Sequence, residues 1–375
     1  MSAGAAGASW FQRFLLPGFA LKAFIIGGGY ATGRELAEYF LASGPLGGLA
    51  GMILAMCLWS LIAAVTFAFA QMTHAYDYRA FFMRLLGPGW RVFELAYLIF
   101  IVLVLAVFGA TAGAIGEAML GWPSFIGAAL LAIAILLVTA FGEATVERLF
   151  KFASIALYGV YAAFLILGLS SFGDRILAGF ETPAPAEGWL TGGLTYASYN
   201  IVGAVVILPV LRHLTGRRDA LIAGALAGPL AMLPAILFFI CMVGFYPEIG
   251  SETLPSDYLL SRLNAPAFHW LFQGMIFIAL LESGVSAVHS INERVAGIFE
   301  SRGRGFGVGP RALLGGLLLL GCMFVADRVG LVALIAGGYR LLAALFLIVF
   351  VLPVLTLGTA RLLRAPASPS EKVVA

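Results

Sequence analysis

The segment that decides the fold is GGGYATGRELAEYF, residues 27–40, in which glycines interrupt the first apolar stretch of the chain. Gly27, Gly28, Gly29 and Gly33 would each cost about 1 kcal/mol relative to alanine inside a helix. The cluster predicts a broken helix, because irregular backbone at membrane depth is tolerated only where it is buried in protein or lines a wet cavity. The alternative is that these glycines serve only close packing against a neighbouring helix.

The composition excludes a water-soluble protein. Of the 375 residues, 62% are hydrophobic and only 11% are charged, and the mean hydropathy is +1.01. A soluble globular domain carries about 25% charged residues, so secreted, cytosolic, disordered and nucleic-acid-binding proteins are all excluded. Three cysteines lie in separate apolar runs and offer neither a disulfide framework nor a metal motif. We therefore expect an all-α integral membrane protein whose surroundings are the lipid bilayer.

Ten apolar runs are long enough to cross the membrane, since a helical span needs about 20 apolar residues. They lack the alternation of barrel strands, so they are predicted to be helices. The stretch 329–337 before the last span could be a short interfacial or re-entrant piece, and the sequence leaves this open. The predicted spans are residues 16–43, 46–71, 90–120, 122–141, 149–172, 188–211, 219–245, 267–291, 309–326 and 338–361.

Lysine and arginine positions set the orientation. With the N-terminus inside, 17 of the basic residues fall on the cytoplasmic side and three outside, with Arg34 and Arg340 left out because they fall in or beside spans. Both termini are predicted to be cytoplasmic, and the first residues lack the charged leader of a cleaved signal peptide. The predicted regions are a cytoplasmic N-terminus (1–15), a first five-helix repeat (16–172), a periplasmic loop (173–187), a second repeat (188–361) and a cytoplasmic tail (362–375).

The two repeats are predicted from a short internal sequence similarity. GGLTYASYN, residues 192–200, repeats the pattern of Gly-Gly followed by Tyr-Ala-Thr/Ser that is found in residues 27–35. Five spans precede the second copy, and because five is an odd number the second half would be inserted in the opposite direction. Two inverted halves that each begin with a broken helix are typical of secondary transporters.

GGGYATGRELAEYF in the first span, TYASYN in the sixth and LLESGVSAVHSINER in the eighth resemble the bacterial YkvI-like membrane proteins. That group looks like a branch of the amino acid-polyamine-organocation superfamily, with the LeuT-type fold. The resemblance implies ten helices as a 5+5 inverted repeat with helices 1 and 6 broken, a bacterial cytoplasmic membrane, and a site between helices 1, 3, 6 and 8. In sodium-coupled proteins of this fold a cation lies between helix 1 and hydroxyls of helix 8, which Ser283 and Ser286 match. Glu282 departs from that pattern, so H+ and Na+ both remain possible coupling ions.

Polar groups near the two breaks are the candidates for substrate binding. Arg34 could bind a substrate carboxylate or Glu282, or it could pair with Glu38 at i,i+4. The half-helix that begins near Gly33 would favour an anionic group. Glu35 and Glu38 are predicted to gate the outer side, whereas the span 6 side chains could instead cap backbone groups. The predicted substrate-binding residues are Gly28, Gly29, Tyr30, Thr32, Gly33, Arg34, Tyr196, Ser198, Tyr199 and Asn200.

Span 8 supplies the predicted ion-coupling residues Glu282, Ser283, Ser286 and His289. Inserting an ionisable residue near the bilayer centre costs roughly 2.5–3.5 kcal/mol of free energy, so each such residue is a candidate functional residue. Glu282, Ser286, His289 and Glu293 share one helical face and predict a polar stripe that runs toward the cytoplasm. The alternative for Glu282 is that it is buried for packing and pairs with an arginine. The alternative for His289 is that it is an ordinary core histidine. No metal site is predicted, because no second helix offers a His or Cys partner.

The sequence thus predicts a secondary active transporter that moves a small polar or zwitterionic solute, with amino acids as one class, by alternating access. No cofactor is expected besides the coupling ion. The alternatives are a membrane-embedded enzyme, against which the chain lacks HExxH, GxSxG and a nucleotide loop, and a proton or ion channel around Glu282.

Overall fold

The structure is a computed structural model that describes residues 8–141, 143–300, 303 and 305–364, with the side chains of 140–155 outside that description. Arg148, Lys151, Arg302, Arg304 and Lys372, which entered the basic-residue count, lie outside it. All regular elements of the described chain are helices. The main ones are α1 Leu16–Ile25, α2 Gly28–Ala31, α3 Arg34–Tyr39, α4 Gly44–Thr73, α5 Tyr78–Leu86, α6 Trp90–Leu120, α7 Ser124–Phe141, α8 Glu143–Ser171, α9 Gly173–Glu181, α10 Trp189–Asn200, α11 Gly203–Val206, α12 Arg217–Val243, α13 Pro255–Arg262, α14 Pro266–Glu300, α15 Val308–Val329 and α16 Leu331–Arg364.

The first span is broken twice by its glycines, as predicted. Gly27 is extended and separates α1 from α2, and Gly33, with φ of +80°, separates α2 from α3. Positive φ costs an L-residue roughly 1–2 kcal/mol, which glycine avoids. A Cβ at Gly33 would also lie 2.8 Å from Cζ of Phe238 and 3.1 Å from Cβ of Pro255. Both the backbone conformation and the close packing therefore require glycine at position 33.

The sixth span is also broken, but not at its glycines. Its break falls at residues 201–202, between α10 and α11. A Cβ at Gly192 would overlap the carbonyl oxygen of Tyr39, and one at Gly193 would lie 2.6 Å from the carbonyl oxygen of Gly51. These glycines therefore allow α10 to pack closely against spans 1 and 2. The similarity between the two motifs does not mark equivalent breaks.

Each of the ten predicted runs contains helix, although not each is a single uninterrupted span. By length and apolar composition alone, six helical segments of the described chain could cross a membrane, or seven if a pair bent by 71° counts as one span. The bent pair is Ala156–Ser171 with Gly173–Glu181, so the predicted periplasmic loop begins with a helix. Residues 331–337 do not form a separate piece, because they continue into the last helix through wide π-type turns, and Val329 ends α15.

Helices α4 and α12, which belong to spans 2 and 7, pack through small residues. A Cβ at Gly224 would overlap the backbone of Ala64, and one at Gly228 would overlap the carbonyl oxygen of Met56. Small residues let helix backbones approach closely where lipid offers no hydrophobic driving force between helices. This pair supports the broken helices that form the site.

Candidate functional site

A cavity of about 420 Å³ lies beside the break in the first span. Its walls come from spans 1, 3, 5, 6 and 8, which include the four helices expected to form the site. It is lined by the first half of span 1 and the second half of span 8, which are the halves that the basic-residue count places toward the cytoplasm. Its lining residues include Ala23, Phe24, Ile26, Gly27, Tyr97, Phe100, Val104, Phe108, Tyr158, Val206, Ala279, Glu282, Ser283, Ser286 and Ser290.

The break releases backbone groups at the cavity wall. The Gly27 amide donates to the carbonyl of Ile25 at 2.7 Å and not to Ala23, its partner in a continuous helix. A carbonyl released in this way can bind a cation or a ligand amine. On the other side of the break, a Cβ at Gly28 would lie 2.8 Å from Oγ1 of Thr111 and 2.9 Å from Cδ2 of Leu280. Gly28 therefore packs against spans 3 and 8.

The predicted ion-coupling residues Glu282, Ser283 and Ser286 all line this cavity. The Ser286 hydroxyl donates to the backbone carbonyl of Glu282 at 3.1 Å. The Tyr158 ring of α8 lines the same cavity as Glu282. Hydroxyls of span 8 thus share a cavity with the broken first helix, which is the arrangement that a coupling cation would need.

His289 lies elsewhere. It lines a second cavity of about 450 Å³ with Leu136 and Thr139 of α7 and with Arg311 and Gly315 of α15. The helical spacing placed it on the same face as Glu282 and Ser286, but the neighbours of α14 change along its length. Glu293, further along, forms an ion pair with Arg311 at 2.5 Å. The predicted polar stripe is therefore divided between two cavities.

The residues predicted to bind substrate form a closed layer beside the central cavity, on the side that the basic-residue count places outside. Tyr30, Tyr196 and Tyr199 are buried. Three of the polar side chains bond to their own helices: the Thr32 hydroxyl to the Gly28 carbonyl at 2.8 Å, the Ser198 hydroxyl to Leu194 at 2.7 Å, and the Asn200 amide to Tyr196 at 3.3 Å. In this conformation none of the predicted substrate-binding residues lines the central cavity.

Arg34 pairs with Glu38, as one of the two alternatives predicted. Its Nη2 lies 3.2 Å from Oε2 of Glu38, and its Nη1 donates to the carbonyls of Gly250 at 3.0 Å and Glu252 at 2.8 Å. Arginine is rarely buried unless it is paired, and here only 5% of the residue is exposed. Arg34 therefore joins the broken helix to the outer loop before α13.

Glu35 lies in the first turn of α3 and is buried. Its Oε2 accepts a hydrogen bond of 2.6 Å from the Tyr199 hydroxyl, which links span 1 to span 6. The first turn of this half-helix, where an anionic ligand group was expected, thus holds a carboxyl group of the protein itself. Glu35 and Glu38, the predicted outer gate, both lie in the closed layer.

The aromatic lining of the cavity was not predicted from the sequence. Tyr97, Phe100 and Phe108 come from α6, Phe24 from α1 and Tyr158 from α8. Residues 97, 100, 104 and 108 recur at helical spacing, and that recurrence was the available signal. The same spacing also describes any buried helix face, so it could not by itself identify the cavity.

Among the described residues, no group of three or more His, Cys, Asp and Glu side chains is arranged to hold a metal ion.

No protein-family model matches the chain. The chain is 22% identical over 279 residues to the uncharacterized membrane protein YkvI of Bacillus subtilis (strain 168). The matched region covers 74% of this chain and 79% of YkvI.

Two solved structures share the fold. The crystal structure of MhsT in complex with L-phenylalanine has a TM-score of 0.55 at 16% identity, and the match covers 95% of this chain and 97% of that one. The Eremococcus coleocola manganese transporter, in complex with an aromatic bis-isothiourea substituted compound, has a TM-score of 0.51 at 16% identity, over 90% and 77% of the two chains. These matches confirm the predicted fold class and the predicted resemblance. The chain is therefore a multi-pass membrane protein of the LeuT-type fold that is similar in sequence to YkvI.

Proposed function

We propose that this protein is a secondary active transporter that moves a small polar or zwitterionic solute by alternating access. One observation carries the proposal: the cavity beside the broken first helix is lined by the halves of spans 1 and 8 that the basic-residue count places toward the cytoplasm, while Glu35, Arg34 and several tyrosines are buried on its other side. A carrier needs a site that is open to one side at a time. The proteins that share the fold include one named a manganese transporter, which supports the same class.

The cavity favours an organic solute with an apolar body and an amino group. Its volume of about 420 Å³ falls in the range of small-molecule pockets. Aromatic rings form much of its wall, while Glu282 and the hydroxyls of Ser283 and Ser286 supply polar contacts. A neighbour with this fold holds L-phenylalanine, which has an amino group and an aromatic body. Amino acids and related amines are therefore the first class to test.

The coupling ion is H+ or Na+. Sodium could bind between the Ala23 carbonyl released by the break and the hydroxyls of Ser283 and Ser286. A proton could bind Glu282, because desolvation disfavours a charged carboxylate. Both alternatives use the same wall of the cavity.

The test is a thermal-shift screen of the purified protein over amino acids, amines and nucleobases, followed by counterflow in proteoliposomes with each stabilising compound. We expect saturable counterflow. Ala279→Phe fills the cavity and should abolish binding and counterflow, whereas Gly274→Ala, on the same helix but facing open space, should leave both unchanged. Conductance that does not saturate, with no counterflow, would show a channel and overturn the proposal.

A further inference from the structure

The Glu35 carboxyl group is sealed inside the outer layer. The residue is 4% exposed, and Tyr199 donates to its Oε2 at 2.6 Å. The Asn200 side chain also lies beside the carboxyl group. A Cβ at Gly29 would overlap Oε1 of Glu35, so the absence of a side chain at Gly29 provides the space for this carboxyl group.

Tyrosines from three spans surround Glu35. The Tyr199 ring lies 5.9 Å from the Tyr39 ring, 5.7 Å from Tyr196 and 4.6 Å from Tyr339, measured between ring centroids. The five tyrosines that lie close enough to the carboxyl group to interact with it electrostatically are Tyr30 and Tyr39 of span 1, Tyr196 and Tyr199 of span 6, and Tyr339 of span 10. All five are buried. Spans 1, 6 and 10 must therefore separate before external water can reach Glu35.

The neighbouring cations are engaged by another acid. Arg34 pairs with Glu38 at 3.2 Å, and Arg340 of span 10 lies 4.0 Å from the other Glu38 oxygen. No ion pair between described residues includes Glu35. Burying a carboxylate without a cation is costly, whereas a neutral carboxylic acid needs only hydrogen bonds, which Tyr199 supplies.

From this geometry we infer that Glu35 is a proton-binding site that controls closure of the outer path. The carboxyl group binds one proton when spans 1, 6 and 10 close around it, and releases that proton to external water when they separate. The inference rests on the alternating access proposed above, but it concerns a site other than the central cavity. The proton at Glu35 governs which conformation is stable, independently of whether H+ or Na+ binds at the cavity wall that contains Glu282.

The direction of the pH dependence follows. The closed state holds one proton more than the open state, so lower external pH favours closure. The ratio of closed to open protein should change by up to about tenfold per pH unit across the range in which the two states differ in protonation. Glu35→Gln resembles the protonated acid and should remain closed at every pH.

The experiment measures accessibility of the outer path and not uptake, so its failure is distinct from failure of the transport proposal. Ser256, which is buried at the start of α13 against the break, is replaced by cysteine in a Cys57→Ala background. A membrane-impermeant thiol reagent is applied from outside over a pH series. Glu187→Cys, in the same background and exposed, corrects for the pH dependence of thiol reactivity itself.

We expect the corrected labelling of Ser256→Cys to rise with pH. Adding Glu35→Gln should keep labelling low at all pH values, while adding Glu38→Gln should preserve the rise. Labelling that does not change with pH, or an unchanged rise in the Glu35→Gln protein, contradicts the proton site. If the Glu35→Gln protein does not insert into the membrane, the pH series on Ser256→Cys alone and with Glu38→Gln tests the proton site.

Discussion

The backbone amide of Ser256 donates to the carbonyl of Thr32 at 2.8 Å, which ties the outer helix α13 to the break in the first span. Pro255 packs beside Gly33 at the same place. Arg34 adds hydrogen bonds to the carbonyls of Gly250 and Glu252. The outer side is thus closed by contacts between the broken helix and one loop, and these contacts must separate for the outer path to open.

Arg34→Ala should loosen the outer closure. The substitution removes two hydrogen bonds to loop carbonyls and one ion pair, and leaving buried partners unsatisfied costs about 1–3 kcal/mol. The corrected labelling of Ser256→Cys from outside should therefore increase severalfold or more. Arg340→Ala is the matched control, because the Arg340 side chain is 69% exposed and its pair with Glu38 spans 4.0 Å. Equal labelling in the two variants would contradict the role given to Arg34.

Gly33→Ala should destabilise the folded protein. Its φ of +80° is strained for alanine by about 1–2 kcal/mol, and the added Cβ would also press on Phe238. Thermal unfolding in detergent should occur at a temperature several degrees lower. Gly316→Ala is the control, since that helical glycine faces open space and alanine favours the helix. A Gly33→Ala protein as stable as the wild type would show that the break does not depend on this glycine.

Glu282→Gln should retain solute exchange but lose ion-driven accumulation. Glutamine keeps the size of the side chain at the cavity wall but removes the charge that either coupling ion requires. Uptake is measured in proteoliposomes under an imposed pH gradient, with and without sodium, beside Ser290→Ala, which alters the same cavity without changing its charge. Undiminished accumulation by Glu282→Gln would remove Glu282 from the coupling mechanism.

The predicted orientation is tested by labelling two exposed positions in the Cys57→Ala background. Arg218→Cys should react only from the cytoplasmic side, because the basic-residue count places that loop inside. Glu187→Cys, in the loop predicted to be periplasmic, should react only from outside. The reversed pattern in intact cells would invert the orientation.

Local backbone chemistry explains what the sequence could predict. The breaks at Gly27 and Gly33 follow from the conformational preferences of glycine, and the shared wall of Glu282, Ser283 and Ser286 follows from helical spacing. The loop carbonyls that bind Arg34 lie more than 200 positions away along the chain, so no local pattern could identify them.

The break predicted in span 6 is present, but its position within the span and the position of His289 were predicted wrongly, for a related reason. Gly192 and Gly193 had the composition of a break, but they serve packing against spans 1 and 2. His289 had the spacing of the stripe, but α14 meets different neighbours at that level. In each case the surrounding helices decide the role of the residue, and a single sequence does not show which helices those are.

The most direct test of alternating access compares two cysteines on opposite sides of the proposed site in the Cys57→Ala background. Ser290→Cys lines the cavity, and Ser256→Cys lies in the closed outer layer. Each is labelled from its own side of the membrane while a compound from the thermal-shift screen, or external pH, is varied. The account predicts reciprocal changes, so that conditions that increase labelling of Ser256→Cys decrease labelling of Ser290→Cys. Simultaneous increases at both positions would show a continuous pore and contradict it.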